Sequence, residues 1–188
     1  MRIIAGKHKG RRIELGKDVG GDIRPTSEFA REAIFNILTH GKHGQNGHSF
    51  IDKDVLDICC GTGAFGLEAL SRGAARVTFL DKSREAVAIA HHNATRMNEL
   101  DQVDFILADA AKLGRAKKIY SLVFLDPPYF SKMIEPALRG LLSGGWIDKE
   151  SLIVAEHDAK EKVEYPEAFT ILDERRYGRA MINLVRLA

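Results

Sequence analysis

The sequence predicts an α/β fold: a mostly parallel seven-stranded sheet with helices on both faces, closed by a C-terminal antiparallel hairpin. Three observations predict it. From Phe50 onward, short apolar runs alternate with amphipathic stretches of helical period, the pattern of repeated strand–helix units. The turn "CCGTGAFG" places Gly61, Gly63 and Gly66 between the first such strand and the first such helix. Asp57 lies near the end of that strand, and Asp81, Asp109 and Asp126 end the next three. In a parallel sheet those ends share one rim, the rim where ligands bind.

The elements follow in order. "RIIAGKHKGRRIEL" is two short β-prone runs around a Gly- and Lys-containing turn, a basic hairpin. "GKDVGGDIRP" is a connector. "TSEFAREAIFNIL" is a helix that Thr26 or Ser27 can cap, with Phe29, Ala30, Ala33, Ile34, Ile37 and Leu38 on its apolar face. "HGKHGQNGHS" is a polar loop. "DVLDICC", "ARVTFLD", "VDFILAD", "SLVFLD" and "SLIVAEHD" are the five core strands. "SREAVAIAHHNATRMN" is a helix with Ala86, Ala90, Ala94 and Met97 inward, and "SKMIEPALRGLLSGG" a helix that Pro136 either kinks or divides at its start. "AFTILDERRYGRAMINLVRL" is the closing hairpin, turning near Gly178.

Length and composition suit one domain: 188 residues, 45% hydrophobic and 29% charged. No apolar run is long enough to span a membrane, and "MRIIAGKHKGRR" lacks a signal-peptide core. Cys59 and Cys60, the only cysteines, are adjacent and expected to stay reduced, which points to the cytoplasm. They read as small core residues. The net charge is only +2, yet Arg2, Lys7, Lys9, Arg11 and Arg12 crowd the first twelve residues without an acid, and Arg175, Arg176, Arg179 and Arg186 crowd the tail. Basic ends suit either a polyanion-binding face or a solvated edge guarded by cations.

The glycine turn followed by Asp81, twenty residues after Gly61, suits a nucleotide-type ligand: the backbone can approach closely and the acid accepts from ribose hydroxyls. The spacing alone admits a dinucleotide or S-adenosyl-L-methionine. Asp57, four residues before Gly61, favours the second, because an acid repels a pyrophosphate and suits a sulfonium cation. Asp109 either accepts from an adenine amine or caps a helix.

"DPPY", residues 126–129, follows at the distance expected for the fourth strand. Two prolines end a strand rigidly. The Asp126 carboxylate and the Pro127 carbonyl, held by Pro128, can accept both N–H bonds of an exocyclic base amine and aim its lone pair at a methyl group. Tyr129 can stack on the base. Guanine presents two adjacent donors, which a carboxylate matches; adenine presents one beside an acceptor. A nicotinamide oxidoreductase has no use for these residues.

"DICCGTGAFGLEALSRGA", "FLDKS" and "FLDPPY" resemble the class I Rossmann-like methyltransferases that modify base amines with S-adenosyl-L-methionine. "MRIIAGKHKGRRI", "IRPTSEFAREAIFNIL" and "RRYG" are similar to the RsmD family of bacterial 16S rRNA guanine-N2 methyltransferases, with the target numbered 966 in that family's description. The resemblance implies cofactor contacts at Asp57, Cys59, Gly61, Thr62, Gly63, Asp81, Lys82, Asp109 and Ala110, and a catalytic clamp of Asp126, Pro127, Pro128 and Tyr129. It implies Arg24 and Thr26 near the active-site mouth, with Lys7, Lys9, Arg11 and Arg12 on rRNA phosphates. Residues 1–49 would then be an RNA-contacting extension and 50–188 the methyltransferase core. The partner would be 16S rRNA or a small-subunit assembly particle, and the chain is expected to act as a monomer without metal. His40, His43 and His48 lie in a loop without supporting acids and are read as solvated. The alternatives are an N6-adenine methyltransferase on DNA or RNA, an NAD-dependent oxidoreductase, and a non-catalytic RNA-binding factor.

Overall fold

The computed structural model describes residues 1–16, 28–41 and 50–188. The order is α1 (Glu28–His40), β1 (Asp54–Ile58), α2 (Ala64–Ser71), β2 (Arg76–Asp81), α3 (Arg84–Arg96), β3 (Val103–Leu107), β4 (Leu122–Leu125), α4 (Ile134–Ser143), β5 (Leu152–Asp158), β6 (Phe169–Tyr177) and β7 (Ala180–Leu187). The seven strands lie in the order β3-β2-β1-β4-β5-β7-β6. β1 to β5 run parallel, and β7 is antiparallel to both neighbours. Among the described residues no helix is long and apolar enough to cross a membrane.

Alternation along the strands builds two cores. In β4, Leu122 and Phe124 join one cluster with α1, α2 and α3 residues, while Val123 and Leu125 join the other with Ile134, Leu138 and Leu141 of α4. Helices therefore cover both faces, as the strand–helix alternation requires. Pro136 is the third residue of α4, in the first turn, where a missing N–H costs nothing, so it does not kink the helix.

Two local expectations change. The first strand ends at Ile58, because Cys59 takes a left-handed φ of 59° and turns the chain into the glycine loop. The buried face of α1 is rotated: Ala30, Arg31, Ile34, Phe35 and Leu38 are buried, while Phe29 is 70% exposed and meets Tyr177 edge-on. The N-terminal arm is a short hairpin, as expected: beside the antiparallel Arg2–Arg12 bridge, Ile3 N–H donates to the Arg11 carbonyl (2.9 Å), Gly10 N–H to the Ile3 carbonyl (2.9 Å) and Ile13 N–H to the Met1 carbonyl (3.0 Å). The amides not used across the hairpin dock it on α2: Ile4 and Ala5 donate to the Glu68 carboxylate (2.8 and 3.0 Å), and Lys7 N–H donates to the Ser71 carbonyl. At Gly6, φ is +80° and a Cβ would lie 1.7 Å from the Ser71 carbonyl oxygen, so only glycine permits this contact. Ile3 and Ile13 share the core cluster of Phe35 and Leu70.

Candidate active site

The carboxyl ends of β1, β2, β4 and β5 surround a cavity of about 520 Å3. That is the size range of cofactor sites. The glycine loop forms one wall, with Asp57, Cys59, Gly61 and Thr62 lining it together with Asp81 and Lys82 from the end of β2. Asp81 is held by the loop: its carboxylate accepts from Gly61 N–H (3.1 Å) and Ser83 N–H (2.9 Å). Gly63 takes φ 76°, and a Cβ there would press on Phe79 and Ala90 at 3.1 Å, so the turn into α2 needs glycine.

The opposite wall is the Asp126–Tyr129 turn. β4 pairs directly with β1, so the turn leaves the sheet beside the glycine loop, and Asp126 N–H donates to the Ile58 carbonyl (3.4 Å). Asp126, Pro127, Pro128 and Tyr129 all line the cavity. The Tyr129 hydroxyl donates to Glu156 of β5 (3.1 Å), and the Arg179 guanidinium lies 5.5 Å from the ring centroid. Burial, then the Glu156 charge, raises the Tyr129 pKa, so the phenol keeps its proton and remains a donor.

A profile of the family described as Conserved hypothetical protein 95 matches residues 1–186. The chain belongs to that family. Ribosomal RNA small subunit methyltransferase D of Haemophilus influenzae is 29% identical to this family member over 182 residues, 95% of this chain and 89% of the relative. The Escherichia coli K12 protein of the same name is 30% identical over 85% of this chain and 76% of its own length. A solved Escherichia coli structure, yhhF, superposes with a TM-score of 0.79 at 26% identity, covering 100% of this chain and 97% of that one. The family resemblance and the class I methyltransferase fold read from the sequence are both borne out.

Within this conserved hypothetical protein 95 member, the proposed site residues divide into three groups. Those of the glycine loop, Asp81, Lys82, Ala110 and the 126–129 turn share the cavity, except Gly63, which is buried between the lining residues Thr62 and Ala64. Asp109 is not among the lining residues; it caps the short 3-10 helix Ala110–Lys112 by accepting from Ala111 N–H at 3.0 Å. The third group is the arm. Lys7 pairs with the buried Glu99 (2.7 Å), Arg11 donates to the Arg96 carbonyl (3.0 Å), and Lys9 and Arg12 are exposed. The arm tip meets the C-terminal end of α2, eight residues and therefore about 12 Å from the cavity end of that helix. Arg24, Thr26, His43 and His48 lie outside the described residues, and His40 is exposed at the end of α1. Among the described residues no group of three His, Cys, Asp or Glu could hold a metal ion.

Among the charged residues that line the cavity, three escaped the sequence reading as site residues: Arg31, Glu156 and Arg179. Arg31 was hidden on an apolar helix face, and Glu156 inside an apolar strand. Arg179 follows the "RRYG" motif and was read only as tail charge.

Asp57 needs a correction of emphasis. It is 2% exposed and accepts from Gly66 N–H (3.0 Å), and burial pushes its pKa up to about 8. A carboxyl that favours its neutral form is a weak reason to choose a sulfonium over a pyrophosphate. It has a consequence for stability. Between pH 4 and 8 the unfolded chain has released this proton and the folded chain has not, so stability falls as pH rises through that window. Asp57→Asn keeps an acceptor for Gly66 and removes the titration. Relative to the variant, the wild-type melting temperature should drop from pH 5 to pH 8. Parallel pH profiles for the two proteins would show that Asp57 is ionised throughout.

Both cysteines favour the thiol. Burial raises their pKa values, with the nearby carboxylates adding to it. Cys60 belongs to one core cluster and Cys59 packs against the other, as expected for core residues.

Proposed function

We propose that this protein transfers a methyl group from S-adenosyl-L-methionine to the exocyclic N2 of a guanine in small-subunit rRNA. One observation carries the reading: the glycine loop with Asp81 and the Asp126–Tyr129 turn, 65 residues from Gly61 to Asp126 in sequence, face one another across a single cavity. The names of the relatives, Ribosomal RNA small subunit methyltransferase D, support the same substrate class.

The residues fit the cofactor. Glycine backbone lets an amino-acid-bearing nucleoside lie close, Asp81 offers acceptors for ribose hydroxyls, and Ala110 gives an apolar wall for adenine. When bound, the cofactor supplies an electrophilic methyl group on a sulfonium centre. The protein's own contribution is positioning. Asp126 Oδ and the Pro127 carbonyl accept the two amine N–H bonds, which turns the nitrogen lone pair away from the ring system. Tyr129, braced by Glu156, holds the base plane. With the cofactor bound, the N–C bond would form as the methyl–sulfur bond breaks and leaves a neutral thioether; the carboxylate of Asp126 would stabilise the positive charge that passes to the amine and could take the released proton. Arg24 and Thr26 of the "RPT" segment are assigned to the RNA strand around the target, and Lys9 and Arg12 to rRNA phosphates farther from it.

The deciding experiment uses labelled S-adenosyl-L-methionine and small ribosomal subunits that lack the modification, followed by nucleoside identification by mass. N2-methylguanosine at one site is expected. N6-methyladenosine would keep the clamp chemistry and overturn the base assignment. Cofactor binding without transfer to any ribosomal RNA would overturn the reading.

The arm makes a separate prediction. Lys9→Gln and Arg12→Gln should each lower the slope of log affinity for rRNA against log salt by about 0.7 to 0.9. Lys7→Gln should instead cost folding stability, since its ammonium neutralises buried Glu99. An unchanged slope in the first two variants would place the RNA face elsewhere.

A further inference from the structure

A second concavity adjoins the cavity and shares Arg179 with it. It has a volume of about 400 Å3 and is lined by Asp158, Ala159, Lys160, Arg176, Gly178 and Arg179. We propose that this groove, between the end of β5 and the β6–β7 turn, binds a phosphodiester of the RNA strand next to the target nucleotide; the assignment rests on the methyl-transfer reading above.

The groove is built for an anion. Three cationic side chains face one acid, and that acid is already committed. Asp158 is 1% exposed; one carboxylate oxygen accepts from Lys160 N–H (2.8 Å) and the other from Arg179 Nε. It therefore orients Arg179 more than it repels a ligand. Arg176 is oriented in the same way, its Nε donating to the Gly178 carbonyl at 3.0 Å. In both arginines the Nε is used, and among the described residues nothing takes the terminal Nη donors. Those donors form the planar fork that recognises phosphate oxygens. The two sides of the groove are tied together, since Ala159 N–H donates to the Arg179 carbonyl (2.8 Å), so the two arginines are held in place before a ligand arrives.

Position gives the groove its role. Arg179 touches both concavities: its guanidinium lies against the Tyr129 ring and its side chain is 54% exposed. A base drawn into the cavity beside Tyr129 leaves its sugar and phosphates outside, and the strand that leaves the cavity on the β7 side meets the arginines. The arm tip, at the far end of α2, cannot supply this contact. Holding the flanking phosphate would offset part of the cost of unstacking the base, and it carries no sequence information.

The test uses Lys160→Gln, Arg176→Gln and Arg179→Gln in the full chain, with a single-stranded RNA of about ten nucleotides as probe. Binding is measured over a range of salt, beside a methylphosphonate strand of the same sequence whose backbone is neutral. Each variant should lower the salt slope by about 0.7, and wild type and variants should bind the neutral strand alike. Affinity for S-adenosyl-L-methionine should stay unchanged for Lys160→Gln and Arg176→Gln. Unaltered slopes in those two variants would overturn the proposal, as would equal losses on the charged and neutral strands, which would mean base contact. A wild type that methylates RNA while its salt slope ignores all three variants sinks the groove alone. A wild type that binds RNA through the groove but transfers no methyl group sinks the reaction and keeps the groove.

Discussion

Asp126→Asn is expected to lower the methyl-transfer rate about 100- to 1000-fold while S-adenosyl-L-methionine binds as before. The carboxylate is acceptor-only, and the amine it faces is donor-only. An amide in its place presents one acceptor and two donors, so one of the substrate's N–H groups meets another donor. The amide also cannot hold the released proton. The backbone of the turn survives the change, because Asp126 is anchored to Ile58 through its main-chain N–H. Cofactor affinity separates two explanations. Single-turnover rates and calorimetry on the same variant decide between them: loss of rate with intact binding assigns Asp126 to the chemistry. Equal loss of both would make it a structural residue.

Glu68→Gln is expected to destabilise the fold by about 3–5 kcal/mol and to lower the melting temperature by about 10 °C. Glu68 is fully buried on α2, and four groups donate to it or pair with it. Ile4 and Ala5 N–H come from the arm, Arg72 Nε lies at 2.7 Å from its own helix, and Arg31 Nε lies at 3.5 Å from α1. Arg31 is also fully buried, with its other nitrogens on the Met1 sulfur and the Arg2 carbonyl. Burial lowers the Arg31 pKa, and Glu68 opposes that shift. Neutralising the carboxylate leaves a buried guanidinium without its counter-charge and turns a donor toward donors. The arm should loosen first, so proteolysis within residues 1–16 should quicken. A variant that melts with the wild type would show that the burial cost of the pair cancels its attraction.

Most of the sheet was legible because its signals are local. Strand runs such as "SLVFLD" show continuous apolarity, and the two glycines that the turn needs stand beside them. The alternation of strand and helix then dictates a parallel sheet, and a parallel sheet puts Asp57, Asp81 and Asp126 at one end. Errors arose where a polar group has a distant partner. Phe29 looked inward and Arg31 outward by hydropathy alone, yet Arg31 lies inside because Glu68, 37 residues on, neutralises it. The hairpin of the arm was legible because its β-prone runs are local, but its docking was not: Ile4 and Ala5 donate to a side chain on α2, more than sixty residues away.

The sequence by itself determined the α/β class, the glycine turn, the rigid Asp126–Tyr129 ending of β4 and the family. Each rests on residue types within one short segment, where periodicity and backbone restriction act directly. Only the tertiary structure decided that Glu156 braces Tyr129, that Asp158 aims Arg179, and that Glu68 holds the arm and α1 together. These pairings join residues more than twenty positions apart. A buried charge is tolerated only where packing delivers its counterpart, and packing is settled by the order of strands in the sheet, which no local pattern records.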